Sequence, residues 1–242
     1  MESIKVRGIV ARRCDYGEAN CILTILTENL GCVSATVYGV KSKKSRLKSA
    51  AQPLCFSEFV LTRKNTDMYR VESADIIETF YPISEDIVKL SLANYFLEIL
   101  RDNFSENDQE VLQLLLNTLY VLAYKGVDSE LVKAVFELKM IQFFGYEPNM
   151  DNCIKCGAKE DLTAFCPDGG LVCQKCMNAA SICLSCDVIK AMKYILNSDI
   201  KQIYSFAVSG EVKEKLMLIC EGYMQNKSEK RYKSLDYYKK IK

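Results

Sequence analysis

Two Cys-x-x-Cys pairs constrain this chain more than any other feature: Cys153-Ile154-Lys155-Cys156 and Cys173-Gln174-Lys175-Cys176, with sixteen residues between them. Each pair sets two thiolates on one side of a tight turn, and two such turns complete a tetrahedron around one cation at a Zn–S distance of about 2.3 Å. Gly157 follows the first pair, where the turn needs a permissive backbone, and Lys155 and Lys175 lie inside the pairs, where they offset thiolate charge. The spacing predicts a single structural Zn2+ site on Cys153, Cys156, Cys173 and Cys176. Four protein ligands leave no position for water or substrate, so the expected task is to fold a segment poor in apolar residues. Buried or redox-active thiols are the competing reading. The chain has 12 cysteines, and a third pair, Cys183-Leu184-Ser185-Cys186, together with Cys166, leaves a rival ligand set open.

Histidine is absent, which excludes much chemistry. Ser-His-Asp and Cys-His catalysis, an imidazole general base and a His-ligated catalytic zinc are all impossible. There is no Gly-x-x-x-x-Gly-Lys-Ser/Thr loop for nucleotide phosphates. The reading is a protein that is not an enzyme and takes no small-molecule substrate. No apolar run is long enough to span a membrane, and Met1-Glu2-Ser3-Ile4-Lys5 is not an apolar signal stretch. A cytoplasmic location is therefore expected, where thiols bind metals or stay buried.

Residues 1–80 read as five short strands, over 4–14, 20–27, 32–40, 54–62 and 67–77, rich in Val, Ile, Thr, Tyr and Phe and separated by turns such as Glu28-Asn29-Leu30-Gly31. Five strands in so few residues predict a small closed barrel of the OB type, with an SH3-like barrel or a small sandwich as the alternatives. After Tyr81-Pro82 the apolar period becomes helical, with stripes on Ile87–Leu100, Val111–Leu122 and Leu131–Ile141; Gly126 and Gly145 are read as helix stops. Helices resume at Asp187. The expected fold is α+β: a five-stranded OB-like barrel (1–80), a helical domain (81–150), an inserted zinc-ribbon-like segment (151–180), and a second helical part with a basic tail (181–242).

Charge is unevenly distributed. Residues 1–80 carry 12 basic and 9 acidic side chains (+3), residues 81–226 carry 13 and 20 (−7), and residues 227–242 carry 7 and 2 (+5). Basic ends suit a polyanion, and the acidic middle suits protein partners better than DNA. Between the third and fourth strands runs Lys41-Ser42-Lys43-Lys44-Ser45-Arg46-Leu47-Lys48, whose cations reach phosphate and whose serines donate to phosphate oxygens. Arg12, Arg13, Arg63 and Lys64 lie near the ends of the first and fourth strands and complete the candidate nucleic-acid-binding set. Tyr16, Tyr38, Phe56 and Tyr69 are candidate base stackers, with barrel core the preferred reading for Phe56. A solvated lysine-rich linker is the competing reading of the loop.

Tyr16-Gly17-Glu18, Leu26-Thr27, Gly31, Gly39-Val40-Lys41, Lys44-Ser45-Arg46 and Pro53, followed by Phe143-Phe144-Gly145-Tyr146-Glu147-Pro148, Phe165, Gly169-Gly170, Cys173 and Lys233-Ser234-Leu235, resemble the RecO family of bacterial recombination mediators in order and spacing along the chain. The resemblance implies an N-terminal OB domain, a helical body and a zinc site. It implies binding of single- and double-stranded DNA, annealing of complementary strands, and, with the partner RecR, loading of RecA onto DNA covered by single-strand-binding protein. It carries the zinc ligands to Cys153, Cys156, Cys173 and Cys176, and the DNA contacts to Arg12, Arg13 and the 41–48 loop. A nucleoid-associated place in gap and double-strand-break repair follows from the same likeness. Cys183 and Cys186 have no counterpart in the family pattern. With three Cys-x-x-Cys pairs, a zinc-thiol redox sensor or chaperone is the alternative function.

Overall fold

A computed structural model describes residues 2–63, 68–101 and 104–242. The chain forms two compact units, Met1–Tyr124 with Tyr232–Lys242, and Lys125–Arg231.

The first unit begins with strands β1 (Glu2–Tyr16), β2 (Asn20–Thr27), β3 (Gly31–Val37), β4 (Phe56–Arg63) and β5 (Tyr69–Glu78). They close into a barrel in the order β1-β2-β3-β5-β4, with β4 returning to pair with β1. The β3–β5 pairing is parallel (Ala35 with Tyr69, Thr36 with Arg70) and the other four are antiparallel. This is the OB arrangement, and it leaves no sheet edge open. β1 is long because it serves both neighbours: Gly8 pairs with Thr27 on one side and Ser57 on the other. A register shift between Val10 and Arg12 bends it. Alternation fills the interior with Cys21, Leu23 and Ile25 from β2, Val33, Ala35 and Val37 from β3, and Phe59 and Leu61 from β4, all buried. Phe56, read from sequence as core, is instead half-buried at the head of β4, because the inward positions of that strand are Ser57, Phe59 and Leu61.

Helices α1 (Tyr81–Ser84), α2 (Ile87–Arg101) and α3 (Gln109–Tyr124) follow. Asp86 starts α2 by accepting from the Val88 and Lys89 amides at 2.9 and 3.1 Å. The last helix, α7 (Lys233–Ile241), packs on α2: Tyr232 meets Tyr95 edge-on at 5.5 Å, and the Ser234 amide donates to Glu98 at 3.0 Å. The segment read as a basic tail with interleaved tyrosines is thus a docked helix in which Tyr232, Leu235 and Tyr238 are buried.

The second unit is built on α4 (Ser129–Phe143), which carries buried residues on every face from Leu131 to Ile141. Asp128 caps it, accepting from the Glu130 and Leu131 amides. Strands β6 (Leu162–Cys166), β7 (Gly170–Cys173) and β8 (Ile182–Cys183) form a small sheet in the order β7-β6-β8, and α5 (Cys186–Asn197) and α6 (Gly210–Ser228) pack against α4. Three charged side chains of α4, Lys133, Glu137 and Lys139, are buried with partners. Lys139 donates to the Leu196 carbonyl at 2.7 Å, satisfying the end of α5. Lys133, 2% exposed, bridges Glu137 at 2.9 Å and Glu221 of α6 at 2.8 Å.

Candidate metal centre and nucleic-acid interface

The turn after Cys153 is closed by the Gly157 amide donating to the Cys153 carbonyl at 2.8 Å, with the Cys153 amide donating to Ala158 at 2.7 Å. Cys173 ends β7, and one 3-10 turn (Gln174–Cys176) carries the chain to Cys176. β7 is fastened by reciprocal bonds across Asn149: the Asn149 amide donates to Gly169 at 2.8 Å and the Leu171 amide donates to Asn149 at 2.9 Å. Gly170 lies in this approach at φ 154°, and a Cβ there would sit 2.3 Å from the Asn149 carbonyl oxygen. Only glycine fits. The ring of Phe165, on β6, meets Tyr223 of α6 edge-on at 5.2 Å, and the Tyr223 hydroxyl donates to the Tyr146 carbonyl at 3.1 Å.

These contacts bring the sulfurs of Cys153, Cys156, Cys173 and Cys176 to within 4.8 Å of one another. Cys156 and Cys173 Sγ are 3.7 Å apart, and a tetrahedron with Zn–S of about 2.3 Å has an S–S edge of about 3.8 Å. The donor set therefore fits one tetrahedral thiophilic cation. Charge distribution agrees. The backbone N–H of Cys173, helped by those of Cys156 and Lys155, holds the Cys153 thiol down at about 6. Hydrogen bonding to the Cys156 and Cys173 sulfurs pushes Cys176 up to about 12. Four thiols this close do not all ionise without a cation. Lys155 is tied to Asp168 at 2.7 Å. Among the described residues this is the one cluster of three or more potential metal donors; Cys183 and Cys186 lie outside it, and Cys166 is buried beside it in the small core of the module.

The basic loop is built onto the barrel rather than hung from it. Val40 and Ala51 are buried in the barrel core and Leu47 packs against it, so three apolar anchors alternate with the cations. Backbone turns tie it down: the Lys41 amide donates to Ala19 at 3.2 Å, Ser45 to Ser42 at 3.1 Å and Ala51 to Leu47 at 2.9 Å. Lys43, Lys44, Arg46 and Lys48 all point into solvent. Lys41 differs, since it pairs with Asp15 at 3.0 Å, and Arg13 approaches the same carboxylate at 3.6 Å. The Lys41 hydrogen bond holds Asp15 below the usual carboxylate range. Arg12 and Arg13 alternate along β1, Arg13 opposite the buried Leu23 and Arg12 opposite Thr24, so they face opposite sides of the wall. Lys64 lies outside the described residues.

Tyr16 and Tyr38 are 56% and 53% exposed, unlike Phe56. The Arg70 guanidinium lies over Tyr38 at 5.1 Å and that of Arg63 over Tyr69 at 5.5 Å. Arg70 escaped the reading of the sequence. It reaches Tyr38 only because Thr36 and Arg70 pair across the parallel β3–β5 contact, and no local signal encodes that register.

The fold and site define a class of proteins in which an OB barrel with a cationic loop is joined in one chain to helices and a four-cysteine cluster that could hold a metal ion. Comparison with known proteins gives the family. The model for the Recombination protein O N terminal matches residues 1–80, and that for the Recombination protein O C terminal matches residues 84–236. The chain is 36% identical to the DNA repair protein RecO of Acetivibrio thermocellus over all of this chain and 98% of that one. It is 33% identical to that of Caldicellulosiruptor bescii over the full length of both. It is 29% identical to that of Bacillus pumilus over 91% of this chain and 87% of that one. This chain belongs to the RecO family of DNA repair proteins.

Proposed function

We propose that this protein is a DNA-binding recombination mediator that makes and breaks no covalent bond. It binds single- and double-stranded DNA, anneals complementary strands, and with RecR promotes loading of RecA onto DNA covered by single-strand-binding protein. The observation that carries this reading is the loop of solvent-facing Lys43, Lys44, Arg46 and Lys48 held on the barrel by Val40, Leu47 and Ala51. Annealing is opposed by repulsion between two phosphate backbones, and a fixed array of cations screens it while releasing counterions. Arg12 and Arg63 extend the array. Arg13 and Lys41 contribute less because they share Asp15. The exposed faces of Tyr16 and Tyr38 offer stacking to unpaired bases, which favours single strands. The cation in the four-cysteine module is zinc: an all-thiolate tetrahedron suits it, and its role is structural. The protein works in the cytoplasm at the nucleoid, and its acidic helical body meets the protein partners.

The test is anisotropy of a labelled single-stranded oligonucleotide titrated with full-length, zinc-loaded protein over a salt series, beside a K43E/K44E/R46E variant. Binding that weakens steeply with salt and is sharply reduced in the variant supports the reading. Absence of binding by the folded protein at low salt overturns it.

A further inference from the structure

The last helix carries a second set of cations, and its position in the fold decides which way they face. Leu235 and Tyr238 of α7 are buried against the body of the first unit, with Tyr232 packed on Tyr95 at the helix entrance and the Ser234 amide donating to Glu98 at 3.0 Å. With those residues turned inward, the 3.6-residue period puts Lys233, Tyr237 and Lys240 on the opposite, outer stripe, at i, i+4 and i+7, and all three are exposed. Lys239 and Lys242, also exposed, flank it. Across residues 233–242 one acid, Asp236, stands beside four lysines, so the face stays cationic whichever lysine that carboxylate attracts.

Helix stability does not account for this arrangement. Lys239 and Lys240 lie in the last turn, where cations complement the helix dipole, but Lys233 opens the helix, where a cation opposes it. Nor does packing account for Tyr237, which is 49% exposed while its neighbour Tyr238 is buried. An aromatic face with an ammonium one helical turn to either side is the combination that holds single-stranded nucleic acid: the cations engage phosphates and the ring stacks on a base. At 1.5 Å per residue Lys233 and Lys240 are about 10 Å apart along the axis, which is about three phosphates of one strand at duplex spacing. The helix rests on α2, whereas the basic loop is anchored on the barrel core by Val40, Leu47 and Ala51. The first unit therefore carries two cationic surfaces on different supports.

We propose that the outer face of α7 is a second nucleic-acid-binding surface, which takes one single strand through Lys233, Tyr237 and Lys240 while the barrel loop holds its complement. The proposal rests on the mediator reading above and adds to it a place for the other strand. Annealing brings two polyanions to one protein, and a lone cationic loop already covered by one strand repels the next. A second surface removes this conflict. Each strand is screened by its own cations, and tethering both to one molecule raises their effective concentration for each other. The loop holds no acid between residues 41 and 48 and α7 holds Asp236, so the loop is the tighter site and fills first.

The experiment uses full-length, zinc-loaded protein, with anisotropy of a labelled single-stranded oligonucleotide for binding and energy transfer between two labelled complementary oligonucleotides for annealing. Wild type is compared with K233E/K240Q and with Y237A, which leaves every charge in place. Lys233→Glu favours the helix dipole and none of the three side chains is buried, so thermal unfolding is expected to be unchanged. K233E/K240Q is expected to bind the single strand within about threefold of wild type and to anneal at least about tenfold more slowly, and Y237A to anneal about threefold more slowly. A K233E/K240Q protein that anneals at the wild-type rate overturns the proposal and leaves the mediator reading standing; an α7 that docks only an acidic protein gives this result, because no protein partner is present. Loss of single-strand binding in proportion to loss of annealing also overturns it, since α7 and the loop would then act as one surface. Wild-type protein that neither binds nor anneals overturns the mediator reading and the proposal with it.

Discussion

Replacing Lys133 by Met removes a charge from the most enclosed ionic group in the second unit while keeping the side chain's length. Lys133 is 2% exposed, its partner Glu137 is 0% exposed, and Glu221 is 23% exposed. Burial pulls the Lys133 ammonium down, but Glu137 and Glu221 outweigh it and hold it above its ordinary value. A lysine raised in the folded state contributes stability that is complete below its unfolded value and is lost only as pH rises through the folded one. The contribution is therefore intact at neutral pH and disappears in strong alkali. Lys133→Met leaves the Glu137 carboxylate buried without its cation, and breaking a buried pair in this way costs about 3–5 kcal/mol. Replacing both partners by apolar groups removes the orphaned charge, so Lys133→Met with Glu137→Met is expected within about 1 kcal/mol of wild type, Glu221 being open enough to hydrate. Urea unfolding of zinc-saturated protein followed by circular dichroism measures both, and an unchanged m-value shows that the same surface is exposed on unfolding. A single substitution costing under about 1 kcal/mol, or a double variant no better than the single, refutes the account of this group as a compensated buried charge.

Cys173→Ser takes one thiolate from the four-cysteine set, and the variant is expected to hold no stoichiometric zinc and to lose hydrogen-exchange protection across β6 and β7; normal metal content would contradict the ligand assignment. Acid should release the metal, because protons compete with the cation for the four thiolates, and zinc content that does not fall as the pH is lowered would argue against thiolate ligation. Gly170→Ala puts a Cβ 2.3 Å from the Asn149 carbonyl oxygen at a φ that L residues avoid, and thermal unfolding should show a loss of about 1–3 kcal/mol or more. In the K43E/K44E/R46E variant, single-strand binding that persists at low salt should show a log–log salt slope shallower by about 2, from about 0.7 per phosphate contact; an unchanged slope would place the DNA elsewhere on the protein.

Much of this protein is local in origin and so is legible in its sequence. The candidate metal ligands are set by spacing within two turns, and the structure gathers the four sulfurs that the spacing singled out. The barrel strands follow from two-residue alternation, and α2, α3 and α4 from helical period, with ends displaced by a few residues. The lysine-rich loop is equally plain as a run of charge. What only the tertiary structure decided depends on contacts between distant segments. Lys133, Glu137 and Lys139 look in sequence like ordinary helical surface charges, yet α4 is buried on every face and each is enclosed. The C-terminal segment reads as a basic tail, but Tyr232 and Tyr238 are core because α2, more than a hundred residues earlier, receives them. Arg70 joins Tyr38 through a parallel pairing that no turn encodes, Lys41 reaches Asp15 only through the pairing of β1, β2 and β3, and Phe56 gives its expected core place to Phe59 through strand register. Spacing along the chain specifies chemistry when all the ligands lie within a few turns; which charges stay free for a partner is settled only when the closed barrel and packed helices have chosen which of them to neutralise.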